Sequence, residues 1–258
     1  MPLHRLSSNP AAWPEGYDRR VLPEVDSTNA EAARIAPGLT CPTWILGLRQ
    51  TAGRGRRGRA WADPPGNFAA TLVVNLNIPP AQIALRSFVA ALALADALVQ
   101  ATGRSDSLTL KWPNDVLLGG GKVAGILLET GGQGPQQGPL AIGIGVNLTH
   151  APAPDSVEPG AARPVSVLSQ TGVTIAPETF LNHLAPAFAQ WEARLIADGF
   201  APIRRAFLGR AARLNETITA RTTRDSLTGT FRDIDDTGAL VLQSARGLQT
   251  VQAADIFF

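Results

Sequence analysis

The stretch LTLKWPNDVLLGGGKVAGILLET, residues 108–130, predicts the centre of the fold of this 258-residue chain. Its apolar residues indicate short strands at Leu108–Trp112 and Val116–Leu118, which the rigid Pro113 separates. Three glycines follow and predict a tight turn into a longer strand, Lys122–Thr130. A β-hairpin is therefore expected here, with two lysines close to its ends.

Helical and extended patterns are mixed on both sides of this hairpin, up to about residue 212. Helices are predicted over 30–36, 81–102, 177–197 and 201–212, and further strands over 42–48, 67–76 and 140–147. From Arg213 onward, short β-prone segments alternate with polar turns, a pattern typical of a small barrel. The sequence thus predicts a mixed α/β domain, residues 1–212, and a β-barrel-like domain, residues 213–258.

The basic residues are unusual in kind. There are 23, of which only Lys111 and Lys122 are lysines, and the net charge is +2. A general preference for arginine explains the surface, but it does not explain two lysines within twelve residues of each other. An ammonium is a compact charge and a guanidinium is a wide fork, so a crowded site that needs one cannot accept the other. Both lysines are therefore predicted to be functional, whereas the small net charge does not indicate a nucleic-acid partner.

Compartment and membrane association can also be predicted. The single cysteine, Cys41, excludes an intramolecular disulfide and favours the cytoplasm. The segment Met1–Tyr17 has no apolar run, so no signal peptide is expected. The apolar stretch Phe88–Val99 is interrupted by Asp96 and is too short to cross a bilayer, so no membrane association is predicted.

The segment GRGRRGRAW, residues 53–61, fits the glycine spacing of a dinucleotide-binding turn. That motif needs a helix to begin inside it, and Pro64 and Pro65 prevent one here, so this interpretation is rejected. Four arginines and three glycines predict a basic flap that orders over a polyanion, with Trp61 available to stack on a base. In the free chain these arginines are expected to have no anion to bind and therefore to repel one another. A solvated loop, or an arginine-glycine segment that binds RNA, remains open from this segment alone.

Three further motifs carry polar chemistry. Lys111, Asn114 and Asp115 lie together on one turn, where they suit phosphate, a base or ribose, and Mg²⁺, although an ordinary surface ion pair is the simpler alternative. Lys122 is followed by valine, so the segment fails the pattern of a phosphate-binding P-loop. The glycine-containing strand Ala141–Asn147 permits a close approach of its backbone to a ligand, but it is weak as a lone motif.

Taken in order, these segments resemble the biotin protein ligases along most of the chain. The resemblance lies in the segments 26–29, Gln50 with 53–61, 111–115, 122–128 and 143–147. It implies an α+β protein: a catalytic domain with the mixed sheet of class II aminoacyl-tRNA synthetases and biotin synthetases, followed by an SH3-like C-terminal domain. The implied activity uses ATP to convert biotin into biotinyl-5′-AMP. It then transfers biotin to a lysine of a biotin carboxyl carrier protein domain in a biotin-dependent carboxylase.

The resemblance also assigns roles to individual residues. The implied catalytic residues are Lys122, Lys111, Arg54 and Asp115. Biotin is implied to contact Ser27, Thr28, Asn29, Gln50, Arg54, Gly55, Arg56, Lys122 and Gly125. The nucleotide is implied to contact Arg56, Arg57, Arg59, Trp61, Lys111, Asn114 and Asn147. Asp115 is the expected ligand of Mg²⁺ and a candidate to assist deprotonation of the acceptor lysine.

One departure from the family is expected. Many members carry an N-terminal DNA-binding domain, but the motif at Ser27 leaves too few residues before it, so a ligase without specific DNA binding is predicted. A lipoyl or octanoyl ligase is the nearest alternative, although its substrate lacks the ureido ring that the polar set at Ser27–Asn29 and Gln50 would hold. A nucleic-acid-binding module would leave both lysines unexplained. Homodimers are common in the family, and no residue here decides between them and a monomer.

Overall fold

The computed structural model describes residues 12–76, 78–131, 138–153, 157–158, 160–222 and 225–258. Its strands are β1 Asp18–Leu22, β2 Thr43–Gly47, β3 Phe68–Val74, β4 Leu108–Lys111, β5 Asp115–Leu118, β6 Gly121–Thr130, β7 Leu140–Val146, β8 Thr217–Arg221, β9 Ser226–Ile234, β10 Leu240–Ser244, β11 Gly247–Val251 and β12 Asp255–Phe257. Its α-helices are α1 Thr28–Ile35, α2 Pro80–Ala84, α3 Arg86–Thr102, α4 Val167–Thr171, α5 Pro177–Asp198 and α6 Phe200–Leu208.

The first seven strands form one mixed sheet in the order β1-β2-β3-β7-β6-β5-β4. The pair β1–β2 is parallel, and the other neighbouring pairs are antiparallel. The glycines 119–121 make the predicted turn between β5 and β6. Strands β8–β12 form a separate antiparallel sheet in the order β11-β10-β9-β8-β12. A mixed sheet with helices and a second antiparallel sheet confirm the expected α+β architecture.

Helices α3 and α5 cover one face of the mixed sheet with the main apolar core. Trp44 of β2 and Phe188 of α5 meet edge to face, with ring centroids 5.8 Å apart, and both are buried. Asp96, which interrupts the apolar pattern of α3, accepts from the Trp191 indole at 2.7 Å and pairs with Arg210 at 2.7 Å. The helical stretch Pro80–Thr102 is apolar enough to resemble a membrane span, with a mean hydropathy of 1.6, but 72% of that window is buried inside the protein. It is therefore a core element.

The single helix predicted over residues 81–102 is two helices, α2 and α3, which meet at Leu85. The predicted end of the last helix at Ala212 is also too late, because α6 ends at Leu208. The residues after it return to the sheet: the Leu110 amide donates to the Arg210 carbonyl, and the Ala212 amide donates to the Leu110 carbonyl, each across 2.8 Å. Backbone pairing with a distant strand therefore ends the helical pattern early.

The second sheet contacts the first domain at defined points. The indole of Trp112 donates to the Gly238 carbonyl at 3.0 Å. Gly238 has a φ of +86°, and a Cβ there would lie 2.9 Å from Phe88, so this turn favours glycine in both conformation and space. Arg204 of α6 forms an ion pair with Asp233 of β9. These contacts place the C-terminal strands beside the Lys111–Asp115 turn.

The opposite face of the mixed sheet is partly open. Helix α1 covers one part of it, where Ala32, Ile45 and Val73 form a small buried cluster. Beyond α1, small residues of four neighbouring strands are paired in one row across the sheet, and the row continues to a carboxylate on a fifth strand. Its members are, in order, Gly47, Ala69, Gly145, Gly125 and Asp115. Small side chains across adjacent strands leave space above the sheet, so this row forms the floor of a groove.

Candidate functional site

The indole of Trp61 lies on the floor of this groove. A Cβ built on Gly145 would lie 2.4 Å from Trp61 Cε2, and one on Gly125 would lie 3.4 Å from Trp61 Cζ3. The close approach of the indole therefore requires glycine at position 145, whereas a Cβ at Gly125 would make an ordinary van der Waals contact. The indole nitrogen is buried and has no hydrogen-bond partner among the described residues. Trp61 is held here by packing, with its one polar atom buried against the floor at Gly145.

One end of the groove carries uncharged hydrogen-bonding groups. Gln50 Oε1 accepts from the Thr28 amide at 2.9 Å and from the Thr28 hydroxyl at 3.2 Å. Both residues lie over Gly47, where a Cβ would come within 3.1 Å of the Thr28 methyl group. Ser27, Thr28 and Asn29 are all buried. The structure therefore brings together the polar set that the sequence placed around Gln50.

The polar set extends through two residues that the sequence analysis missed, Thr71 and Glu129. The Thr71 hydroxyl is 2.8 Å from the Thr28 hydroxyl and donates to Asn29 Oδ1 at 2.6 Å. Asn29 Nδ2 donates to Glu129 at 2.7 Å, and Glu129 pairs with Arg54 at 3.5 Å. Alternation of strand faces could have identified both residues. Thr71 is a polar residue within an apolar strand, and Glu129 lies near the end of the strand that carries Lys122.

The other end of the groove carries opposite charges. Lys122 Nζ and Asp115 Oδ1 are 2.7 Å apart, with side chains 32% and 16% exposed. The contact does not have hydrogen-bond alignment, since Asp115 Oδ1 has no hydrogen-bond partner. Lys122 Nζ also lies 3.5 Å from the position of a Cβ on Gly125, so its ammonium is directly above the groove floor. An ammonium held this way can exchange one carboxylate partner for another.

Lys111 lies at the same end but is more enclosed, with 8% of its surface exposed. Burial lowers the pKa of Lys111, an effect that Asp115 opposes and the nearby positive charge of Lys122 reinforces. Its ammonium lies 5.1 Å from the centroid of the Phe258 ring. The two lysines of the chain are therefore electrostatically coupled around one carboxylate, as their closeness in sequence suggested.

The two asparagines predicted to contact the nucleotide are already bonded. Asn114 accepts from Arg56 at 3.0 Å and donates to the Ile126 carbonyl at 2.6 Å, so it links the arginine segment to β6. The Asn114 oxygen keeps a second lone pair and its nitrogen a second hydrogen, so a contact with a nucleotide would not need to break either bond. Asn147 donates to the Val165 carbonyl at 3.1 Å, whereas its Oδ1 is buried without a partner. Asn147 Oδ1 is therefore the freer acceptor.

The arginine segment forms a compact hairpin. The Gly55 amide donates to the Arg59 carbonyl at 2.7 Å, and the Trp61 amide donates to the Gly53 carbonyl at 3.0 Å. A single 3₁₀ turn, Arg56–Gly58, closes the tip, and Arg57 there adopts a φ of +57°. We call residues 53–61 the arginine hairpin.

The expectation that these arginines lack an anionic partner in the free chain is wrong. Asp255 of β12 pairs with Arg59 at 2.9 Å, with Arg57 at 3.2 Å and with Arg56 at 3.7 Å. Glu158 pairs with Arg59 at 3.2 Å. Carboxylates distant in sequence therefore offset the repulsion within the hairpin, which the pattern of residues 53–61 could not reveal.

In the part of the chain that the structure describes, the charged end of the groove offers a single carboxylate, Asp115, for a metal ion. Within the described residues, no three His, Cys, Asp or Glu side chains are grouped as a metal site would require. Mg²⁺ in nucleotide sites commonly uses one or two carboxylates together with substrate phosphates and water. Asp115 alone, at the charged end of the groove, fits that limited requirement.

Comparisons with known proteins agree with this geometry. Residues 23–147 match the model of the biotin/lipoate A/B protein ligase family, and residues 214–258 match the biotin protein ligase C-terminal domain. The biotin–[acetyl-CoA-carboxylase] ligase of Paracoccus denitrificans is 56% identical over 238 residues, which is 92% of this chain and 99% of that protein. The chain belongs to the biotin protein ligase family.

Other members of the family show how its architecture varies. The bifunctional ligase/repressor BirA of Bacillus subtilis is 30% identical, and the match covers 83% of this chain but 65% of that protein. A biotin protein ligase from Aquifex aeolicus, solved with biotin and ATP, superposes with a TM-score of 0.77 over 93% of this chain and 97% of that one, at 23% identity. The fold over this matched part is thus that of a biotin protein ligase, and the C-terminal match favours these over lipoyl or octanoyl ligases.

Proposed function

We propose that this chain is an ATP-dependent ligase that forms biotinyl-5′-AMP and transfers biotin to a lysine of a biotin carboxyl carrier protein domain. The observation that carries this proposal is the polarity of the groove. Uncharged hydrogen-bonding groups lie over Gly47 at one end, and Lys122 lies over Gly125 at the other. Biotin has the same polarity, with an uncharged ureido ring at one end and a carboxylate at the other.

The dimensions of the groove agree with an extended ligand. Gly47 and Gly125 are separated by three steps between neighbouring strands, β2 to β3, β3 to β7 and β7 to β6. Strands are spaced about 4.8 Å apart, so the two ends are roughly 14 Å apart. We propose that Ser27, Thr28, Asn29 and Gln50 hold the ring, since a buried ureido group must find partners for its donors and its acceptor.

In the first step, a carboxylate oxygen of biotin attacks the α-phosphorus of ATP and pyrophosphate leaves. Two anions must approach each other, so positive charge at the reacting atoms lowers the barrier. We assign Lys122 to the biotin carboxylate and Lys111 to the phosphates. Arg54 and Arg56 would fold over the adenylate, with Gly55 against the biotin chain. Arg57, Arg59, Trp61, Asn114 and Asn147 are assigned to the nucleotide, Asn147 through its unpartnered Oδ1.

In the second step, the acceptor amine attacks the acyl carbon and AMP leaves. The amine must first lose a proton, and Asp115 is the nearest carboxylate to the charged end of the groove. Mg²⁺ held by Asp115 together with ATP would neutralise phosphate charge during the first step. The arginine hairpin shields the groove and would limit hydrolysis of the reactive anhydride.

We also propose that residues 1–212 carry the biotin and ATP sites and that residues 213–258 form a domain of their own. The acceptor would be a carrier domain of a biotin-dependent carboxylase, and the working compartment the cytoplasm. Absence of specific DNA binding and of membrane association remain predictions, as does the monomeric or homodimeric state.

The test is whether the release of pyrophosphate depends on which carboxylic acid is supplied with ATP. The purified chain is incubated with ATP and either biotin, lipoate or octanoate, and pyrophosphate is measured. Release with biotin and not with the other two acids supports the proposal. Release with lipoate or octanoate and not with biotin would replace it with the lipoyl or octanoyl ligase alternative. Lys122→Gln should abolish release, whereas Arg246→Gln, an exposed change in the C-terminal sheet, should leave it unchanged.

A further inference from the structure

Four side chains form a hydrogen-bonded row at the polar end of the groove: Thr28, Thr71, Asn29 and Glu129. The Thr71 hydroxyl is 2.8 Å from the Thr28 hydroxyl and 2.6 Å from Asn29 Oδ1. Asn29 Nδ2 donates to Glu129 at 2.7 Å. The first three residues are buried, whereas the Glu129 side chain is 41% exposed. We call this row the relay. Buried hydroxyl groups direct their hydrogens at acceptors, so the position of each hydrogen in the relay can be worked out.

The direction of the relay depends on which end of the Asn29 amide faces Thr71. The two ends of a side-chain amide are almost identical in shape, so hydrogen bonds decide how it points. Thr71 does not decide it, because a hydroxyl group can donate or accept. Glu129 does, because a carboxylate can only accept and therefore takes the Nδ2 end. Within the part of the chain that the structure describes, the Asn29 side chain has no third hydrogen bond, so Glu129 fixes the amide.

With the amide fixed in this way, both hydroxyl hydrogens are directed at protein oxygens. Asn29 Oδ1 can only accept, so it takes the hydrogen of Thr71. The hydrogen of Thr28 has two acceptors, Thr71 Oγ1 at 2.8 Å and Gln50 Oε1 at 3.2 Å, and the shorter contact favours Thr71. Thr28 Oγ1 itself then receives no hydrogen from the described residues. Its lone pairs are left for a donor that enters the groove.

We propose that Glu129 is a positioning residue for ligand recognition, because it directs the relay and so makes the Thr28 hydroxyl an acceptor for an N–H group. This inference rests on the proposed function, in which the polar end holds the ureido ring of biotin, with a hydrogen on each ring nitrogen. Reversal of the Asn29 amide would send the hydrogens the other way along the relay, and the Thr28 hydroxyl could then donate to a ligand oxygen. Glu129 therefore selects a ring N–H over a ring oxygen.

The test compares ligands that differ in one ring atom. The full-length chain is titrated calorimetrically, without ATP, with biotin and with the two cyclic carbamates in which one or the other ureido N–H is replaced by an ether oxygen. In the wild-type chain, one carbamate should bind about a hundredfold more weakly than biotin, because its ring oxygen would face the Thr28 oxygen. In Glu129→Met, which has no acceptor for the Asn29 amide, the relay can reverse. This ratio of affinities should then fall about tenfold, the equivalent of one hydrogen bond.

Thr71→Val interrupts the relay but keeps Glu129 and its ion pair with Arg54. The Thr28 hydroxyl loses its nearer acceptor and can turn toward a ligand oxygen, so the ratio should also fall about tenfold. The double variant Thr71→Val/Glu129→Met should fall no further than either single one, since both act on one relay. Either single variant tests the inference if the other does not fold.

Glu158→Met is the matched control. Glu158 also pairs with an arginine of the hairpin, Arg59, at 3.2 Å, but has no contact with the relay. Its loss should leave the ratio unchanged, as should any general loosening that weakens all three ligands alike. An unchanged ratio in Glu129→Met or in Thr71→Val would overturn the inference, as would an equal fall in the control or a wild-type chain that does not distinguish biotin from the carbamates. A wild-type chain that binds none of the three ligands would refute the proposed function and the inference with it.

Discussion

Replacement of Asp255 by asparagine should open the arginine hairpin in the free protein. The carboxylate of Asp255, whose side chain is 15% exposed, lies within 4 Å of Arg56, Arg57 and Arg59. The variant Asp255→Asn keeps the shape of the side chain and removes its charge. The three arginines would then keep their mutual repulsion and lose their shared partner.

The magnitude follows from the exposure of each pair. The arginine side chains are 26%, 35% and 54% exposed, and partly exposed pairs of this kind contribute roughly 0.2–1 kcal/mol each. Their combined loss is about 1–2 kcal/mol, so the open population should rise on the order of tenfold. Two carboxylates remain to limit the effect, Glu158 on Arg59 and Glu129 on Arg54.

Limited digestion with trypsin measures this population directly, because cleavage follows the fraction of open hairpin when opening is fast relative to cleavage. Cleavage within residues 54–59 should be about tenfold faster in Asp255→Asn, and saturating biotin with ATP should restore protection. Asp233→Asn is the control, since it removes the partner of Arg204 between α6 and β9 without touching the hairpin. Equal cleavage of wild type and Asp255→Asn, or equal acceleration in the control, would refute the reasoning.

Three further changes test single contacts. Lys122→Arg should slow pyrophosphate release about a hundredfold, because a guanidinium does not fit between Asp115 and the groove floor; near-normal release would remove Lys122 from its assigned role. Gly145→Ala should displace the Trp61 indole and red-shift tryptophan emission, but not in a Trp61→Phe background. Burial raises the pKa of Asp63, whose Oδ2 accepts from the Gln50 amide, to about 6, so the contribution of Asp63 to the free energy of unfolding should fall as pH rises from 4 to about 6. In urea titrations, Asp63→Asn should gain on the order of 1 kcal/mol relative to wild type between pH 4 and 8, and a constant difference would contradict this.

The sequence predicted those features that depend on neighbouring residues. The glycines before Lys122 determine a tight turn, whatever lies around them. Alternation along β6 places Gly125 and Glu129 on one face, and the register with β7 places Gly145 beside Gly125. Lys122, three residues before Gly125, would lie on the opposite face by alternation alone, and it reaches the face of Gly125 through the register shift between β5 and β6 at Val116/Leu117.

Contacts between distant segments could not be inferred in this way. Asn29 and Glu129 are 100 residues apart, and Arg59 and Asp255 are 196 apart. The local pattern shows that a buried asparagine or a cluster of arginines needs partners, but not which carboxylates supply them. Strands and turns could therefore be predicted where local periodicity governs them, whereas the partners that chain topology selects could not.

The carboxylates around the arginine hairpin also change the salt dependence of DNA binding that the charge of the hairpin would predict. Four bare arginines would release counterions on binding duplex DNA, and the logarithm of the binding constant would fall with the logarithm of salt concentration with a slope of about −3.6. Arg54 is paired with Glu129, and Arg56, Arg57 and Arg59 share Asp255 and Glu158. Three carboxylates against four guanidiniums leave about one net charge, and the slope from this region should be near −1. A salt titration with random duplex DNA measures it. A slope near −4 would show that the carboxylates do not hold the arginines in solution, and Asp255→Asn should steepen it by about one unit if they do.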